Sequence, residues 1–155
     1  MMDLSSLIWR WCPFGELSVA ELDAIYRGRQ QVFSLEQQCI FLDADGFDAA
    51  SHHLAAWAPD RSVPMAYARV VHAGQKYAEP SIGRVITTAA ARGSGLGREL
   101  VARAISHCRD TFPGCGIRIS AQSRLQTFYA GFGFAGAGAP YLEDNIPHTE
   151  MLLAG

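Results

Sequence analysis

Residues 92 to 97 read Arg92-Gly93-Ser94-Gly95-Leu96-Gly97, and the amphipathic run Arg98 to Asp110 follows at once. Three glycines at alternate positions let the chain turn tightly, with several N–H groups pointing into one concavity. With no Cβ in the way, a bulky anion can sit against the main chain there. A helix beginning at about Gly97 adds the positive end of its dipole at the same point. The stretch therefore predicts a pyrophosphate seat. Along the helix Leu96, Leu100, Ala104 and Cys108 form one row, with Val101 and Ile105 beside it. Arg98, Glu99, Arg103, Arg109 and Asp110 take the opposite side, so the apolar stripe is core packing against a sheet.

Several families build such seats, and spacing discriminates among them. A Rossmann fingerprint needs G-x-G-x-x-G after the first strand and an acidic residue about 20 positions on. Here the third glycine comes one residue early and the motif lies past the middle of the chain. A P-loop needs Gly-Lys-Ser/Thr, whereas Gly97 is followed by Arg98. Arg92, Gly95 and Gly97 instead match Arg/Gln-x-x-Gly-x-Gly/Ala. In this the chain resembles the coenzyme A pyrophosphate loop of the GNAT N-acetyltransferases. The alternative is a glycine-rich turn capping an ordinary helix.

A chain of 155 residues suits one domain, residues 1–155, able to bury a substantial core. Hydrophobic residues at 49% and charged residues at 18% mark it as globular rather than disordered. A formal charge of −2 gives no electrostatic footprint for nucleic acid or an anionic membrane. Cys12, Cys39, Cys108 and Cys115 contain no C-x-x-C pair and no metal-like spacing, so reduced thiols in a cytoplasmic protein are expected. Asp3 stands where a signal peptide would carry positive charge, and no apolar run reaches the 18 or so residues of a membrane span.

The element order alternates. Leu7 to Cys12 reads as a strand. Ser18 and Glu21 form a capping box ahead of a helical pattern running to Phe33. Gln38 to Ser51 is a polar loop. His53 to Ala58 and Met65 to His72 are strands joined by a Pro59–Ser62 turn. Ser81 to Thr88 is a further strand, predicted to carry Ile82, Arg84 and Ile86 on one face and Gly83, Val85 and Thr87 on the other. Gly116 to Gln122 follows as a strand, then a short helix with Leu125, Phe128, Tyr129 and Phe132, stopped by Gly133. Phe134 to Pro140 and Ile146 to Leu153 complete the chain as two strands around an Asp-Asn turn.

That order is similar to the GNAT fold, and the wording of the chain narrows the resemblance to the ElaA-like branch. Ala121-Gln122, Leu125-Gln126-x-Phe128-Tyr129, Gly133-Phe134 and Tyr141-x-Glu143-Asp144-x-Ile146-Pro147-His148 carry it, with Val32-Phe33-x-x-Glu36-Gln37 and Asp43-x-Asp45-Gly46 upstream. The match runs from about Trp9 to Met151. It departs at Ile40, where that branch usually has proline, and at Asn145, where it usually has glycine. Asn tolerates a left-handed backbone, so the turn should survive.

The resemblance implies an α/β domain with a central mixed sheet of about six to seven strands, flanked by helices and splayed at the cofactor site. It implies acetyl-CoA as co-substrate, with no metal. The pantetheine arm would bond the main chain of Val85, Ile86 and Thr87 like an added strand. The pyrophosphate would take N–H groups from Arg92, Gly93, Ser94, Gly95, Leu96 and Gly97, with charge from Arg92 or Arg98. Gln122, at the end of the facing strand, joins the cofactor set. An amine would attack the thioester directly in a ternary complex. Tyr129 stands where such enzymes place the acid that protonates the leaving thiolate. An alkylamine with a pKa near 10.4 needs a base at neutral pH, and Glu36, Glu143, Asp144 and His148 are the candidates.

Other features invite a metal. Asp43-x-Asp45-Gly46-x-Asp48 resembles the start of a calcium loop, but its sixth position is Asp48 and its twelfth Leu54. His52-His53 lacks a third ligand at useful spacing. Three classes remain: an acyl-CoA-dependent N-acetyltransferase acting on a small-molecule or peptide amine, a non-catalytic coenzyme A-binding or protein-interaction module, and a different phosphate-ligand enzyme. Neither nucleic acid nor membrane is an expected partner, and a homodimer stands among the assemblies considered.

Overall fold

Strands β2 (Ser51–Trp57) and β3 (Pro64–Val71) are buried along almost their whole length, which places them inside a sheet with both faces covered. β1 (Ile8–Pro13) and β4 (Ser81–Thr87) flank them in the order β1-β2-β3-β4, every pair antiparallel. On one face Leu54, Ala56, Ala66, Ala68 and Val70 share a core with the stripe of α2 (Leu96–Thr111). On the other, Ala55, Trp57 and Tyr67 share one with Ala24 and Ile25 of α1 (Val19–Gln30). Strict alternation thus feeds two cores from one sheet. The computed structural model describes residues 3–60 and 62–155; Arg61 of the predicted Pro59–Ser62 turn lies outside the described residues.

β4 breaks the alternation. Tyr67 pairs with Ile86 and Arg69 with Gly83, so Arg84 and Val85 together face the single residue Ala68. Arg84 has φ +48°, and the two-against-one count makes this a β-bulge. The extra residue flips the side chains beyond it. Ile82 belongs to the α2 core and Ile86 to the α1 core, which corrects the expected common face for Ile82, Arg84 and Ile86.

The second sheet contains β5 (Ile117–Gln122), β8 (Ile146–Leu153) and the short strands β6 (Ala135–Gly136) and β7 (Tyr141–Glu143). Of the strand expected over Phe134 to Pro140 only β6 forms, and β7 follows beyond it; both pair with β8. Asp144 and Asn145 turn between β7 and β8 with φ of 49° and 62°, as a tight hairpin requires, so asparagine does serve where glycine was expected. The α/β architecture with an opening between strands is as expected, but among the described residues the strands number eight and divide into two antiparallel sheets rather than one mixed sheet. The sheets meet where the Arg118 N–H donates to the Pro80 carbonyl at 3.1 Å.

Two local predictions are met and one is modified. The Ser18–Glu21 capping box is present in both directions. All four cysteines are free thiols. The first helix, however, does not stay α-helical to Phe33: it passes into a π-helical segment, Gln31–Glu36, in which the Gln37 N–H reaches back to the Val32 carbonyl.

The aspartates of the loop before β2 pair with arginines. Arg29, fully buried, donates to Asp48 Oδ1 at 2.7 Å and Asp43 Oδ2 at 2.9 Å. Arg69 grips Asp45 with both terminal nitrogens, at 2.7 and 2.9 Å. Arg84 pairs with Asp43 at 3.0 Å and Asp45 at 3.1 Å. Three guanidinium groups and three carboxylates cancel in charge, and charge-assisted bonds offset the desolvation of burying them. Among the described residues no cluster of His, Cys, Asp or Glu has the makings of a metal site.

Removing one partner strands the rest. Asp48→Asn removes one of the two carboxylates that pair with buried Arg29 and the one it shares with Arg69, and should cost about 3 kcal/mol in urea unfolding. Acid should do the same gradually. Burial pushes the Asp45 carboxyl up, but the hydrogen bonds and charge of Arg69 outweigh this and bring it to about 2, below its ordinary 3.8. A carboxylate with a depressed folded value stabilises above its unfolded value and loses that contribution as pH falls through the folded one. The thermal midpoint should therefore drop between about pH 4 and pH 2, and Asp45→Asn should start lower and flatten that drop.

Candidate active site

β4 is the last strand of its sheet and β5 the last of the other, and among the described residues no strand joins them beyond the Pro80–Arg118 contact. Two strand edges therefore face each other across a gap. A cavity of about 550 Å³ fills it, within the usual range for small-molecule sites. Val85, Ile86 and Thr87 line it from β4 and Gln122 from the end of β5. Tyr129, on α3 (Gln126–Ala130), lines it too, as do Glu36, Arg92, Glu143 and His148. Nine residues picked from the sequence thus converge on one hollow, and Asp144 lines it as well.

The glycine segment follows Arg92 and is not itself part of the lining. Its amides are used alternately. The Arg92 N–H donates to the Ala89 carbonyl, the Ser94 N–H to Ala91, and the Leu96 N–H to the Ser94 hydroxyl at 3.3 Å. Among the described residues, the N–H groups of Gly93, Gly95, Gly97 and Arg98 have no protein partner. The expectation that all amides from Arg92 to Gly97 are available is corrected: Arg92, Ser94 and Leu96 are internally satisfied, and the Leu96 side chain is fully buried in the core. Gly93 and Gly95 have φ of +80° and +87°, and a Cβ built on either meets nothing within 4 Å. Open space over unpaired amides at the N-terminus of a 16-residue helix suits a diphosphate.

The two arginines expected to add charge differ. Arg92 donates to Glu36 Oε2 at 2.5 Å and to the Thr87 carbonyl at 3.0 Å, tying the π-helical segment to the end of β4. Arg98 lies over the rings of Phe128 and Phe132, 5.9 and 5.8 Å from their centroids.

Tyr129 packs edge-on against Phe128 and Phe134 yet reaches the cavity. Burial raises its phenol to about 12, so it stays protonated throughout the physiological range. On the opposite side, His148 Nδ1 bonds the Ile146 carbonyl at 2.7 Å, which fixes the ring and turns Nε2 toward Glu143 Oε2 at 3.3 Å. Gln122 Oε1 accepts from Arg124 Nε at 3.0 Å. Sequence reasoning missed Cys39, Phe41, Lys76 and Arg124 in the lining. Of these, only Lys76 carries a signal in composition, as the sole lysine of the chain.

This hollow between parted strand edges, with free amides at a helix start, is the architecture of an acyltransferase site. Residues 40–154 match the acetyltransferase (GNAT) domain, and the chain belongs to the GNAT acetyltransferase family, in its ElaA-like branch. It is 42% identical over 144 residues to the UPF0039 protein sll0451 of Synechocystis, covering 93% of each chain. It is 37% identical over 145 residues to protein ElaA of Escherichia coli, covering 92% of this chain and 94% of that one. Among solved structures, an acyl-CoA N-acyltransferase from Pseudomonas aeruginosa superposes with a TM-score of 0.91 at 36% identity, over 96% of this chain and 100% of the other.

The glycines should separate by substitution. Gly97 has ordinary helical geometry, and a Cβ there only touches Thr87 Cγ2 at 3.7 Å. Gly97→Ala should raise thermal stability, by up to about 1 kcal/mol. Gly95→Ala must hold φ near +87° and should lower it by about 1–2 kcal/mol.

Proposed function

We propose that this chain is an acyl-CoA-dependent N-acetyltransferase of one domain, residues 1–155, that moves an acetyl group from acetyl-CoA to an amine. The observation that carries this reading is the pair of unpaired edges, β4 and β5, opening beside both the free glycine amides and the Tyr129 hydroxyl. An extended pantetheine arm can add to the Val85–Thr87 edge as a strand would. The diphosphate then reaches the Gly93, Gly95 and Gly97 N–H groups, and the thioester lies in the hollow near Tyr129.

The chemistry follows from these positions. The amine nitrogen attacks the thioester carbonyl, and the developing oxyanion takes a main-chain N–H at the bulge of β4. The phenol, protonated at about 12, donates to sulfur as negative charge grows there. A thiol of ordinary pKa near 8.5 is the stronger acid, so the phenol acts first as a hydrogen-bond donor and completes proton transfer as the thiol departs. Among the candidate bases, the Glu143–His148 pair receives the proton of the amine, because both side chains line the hollow and His148 Nε2 lies 3.3 Å from Glu143 Oε2. Glu36 is engaged by Arg92 and positions it. The acceptor is a small-molecule or peptide amine. No helix among the described residues is long and apolar enough to cross a membrane, and the cytoplasm is the proposed location.

A free-thiol release assay with acetyl-CoA and a panel of amines tests the reading. Acceptor-dependent thiol release is expected; acetyl-CoA binding without release from any amine would instead mark a coenzyme A-binding module. Tyr129→Phe should lower kcat about a hundredfold and leave acetyl-CoA affinity unchanged. His148→Ala should lower kcat, whereas Glu36→Gln should leave kcat nearly unchanged and raise the KM for acetyl-CoA. Gly97→Ala should weaken acetyl-CoA binding tenfold or more even though the free protein melts higher.

A further inference from the structure

The sequence contains one lysine, Lys76, and it lies on the wall of the same cavity as Val85, Thr87 and Tyr129. It sits in the loop between β3 and β4, whose shape is set by main-chain bonds. The Gly74 N–H donates to the Tyr77 carbonyl at 2.8 Å and the Gln75 N–H to the His72 carbonyl at 3.2 Å. The ammonium lies 5.6 Å from the centre of the Tyr77 ring. Glu143 of β7 lines the same cavity and attracts the ammonium. No salt bridge holds the ammonium among the described residues.

We propose that Lys76 is an internal acceptor, acetylated at Nζ by the chain's own acyl-transfer site. The proposal rests on the acetyltransferase reading above. Lys76 is exposed as a whole, while partial desolvation of its ammonium end lowers its pKa, with Glu143 opposing. The ammonium first gives a proton to Glu143 or water. The Nζ lone pair then forms a bond to the acetyl carbonyl carbon and the carbon–sulfur bond breaks. Coenzyme A leaves as the free thiol with a proton from Tyr129, and the nitrogen passes its second proton through water to the Tyr129 phenolate as the amide forms. One acetyl-CoA and one lysine ammonium become one acetyl-lysine, one thiol and one proton released to solvent, with no other reactant. An amide does not return its acyl group to a thiol under mild conditions, so the event is a lasting mark. It deletes the only lysine charge, at the rim where an amine acceptor must enter.

The test incubates the full-length chain with acetyl-CoA and no added amine, followed by intact mass and peptide mapping. Expected is a single acetyl increment on the peptide containing Lys76, absent in Lys76→Arg. Its rate should fall about a hundredfold in Tyr129→Phe, because the site rather than bulk chemistry performs the transfer. An increment on the N-terminal amine instead, or an equal rate in the Tyr129→Phe or heat-unfolded chain, overturns the proposal. Acetyl-CoA affinity and thiol release with external amines are measured on the same sample. A chain that binds acetyl-CoA and acetylates external amines while Lys76 stays unmodified defeats this inference alone; a chain that binds no acetyl-CoA defeats the reading beneath it.

Discussion

The opening between the two sheets depends on how Arg84 is held. At φ +48° a non-glycine residue sits in a sparsely populated region, and the surroundings must over-determine it. They do so electrostatically: Asp43 and Asp45 grip its guanidinium, and the same two carboxylates are locked by Arg29 and Arg69. The arginines come from α1, β3 and β4, while the aspartates come from a single loop. One neutral cluster thus fixes a loop, a helix, a strand and a bulge together. Without the bulge, Val85 to Thr87 would keep the register of the first half of β4, and the edge they offer to the cavity would turn over.

Much of this was legible from the chain. The α2 stripe, the alternating burial of Ile117, Ile119 and Ala121, and the Ser18–Glu21 cap are local, and each follows from periodicity or from one hydrogen-bond pattern. The convergence of Glu36, Tyr129 and His148, which are separated by up to 112 positions (148 − 36), was legible only through resemblance to a family. What stayed hidden is long-range in a different sense. The bulge at Arg84 needs two aspartates some 40 residues upstream, and nothing in Gly83-Arg84-Val85 announces it. The π-helical turn after Gln30 likewise leaves the spacing of Val32 and Phe33 looking helical.

The same loop supplies the acidic half of the cluster. A calcium loop points its oxygens inward at one centre. Here Asp43, Asp45 and Asp48 share Arg29, Arg69 and Arg84 between them, and three carboxylates balance three guanidinium groups. His53 completes the packing, with Nε2 against the Asp48 carbonyl and Nδ1 against the Tyr67 hydroxyl, so the adjacent histidines are divided between interior and surface as a strand demands.

The alternation of free and satisfied amides between residues 93 and 97 has one more consequence. The donors left over are peptide groups, and a peptide group does not titrate, oxidise or change rotamer. A grip made of such donors keeps its strength wherever the fold itself persists, whatever the acidity or redox state around it. Side chains able to ionise, among them His148, Glu143 and Tyr129, line the hollow itself. On the function proposed above, the cofactor would thus be held by groups that differ in kind from those facing the reacting atoms.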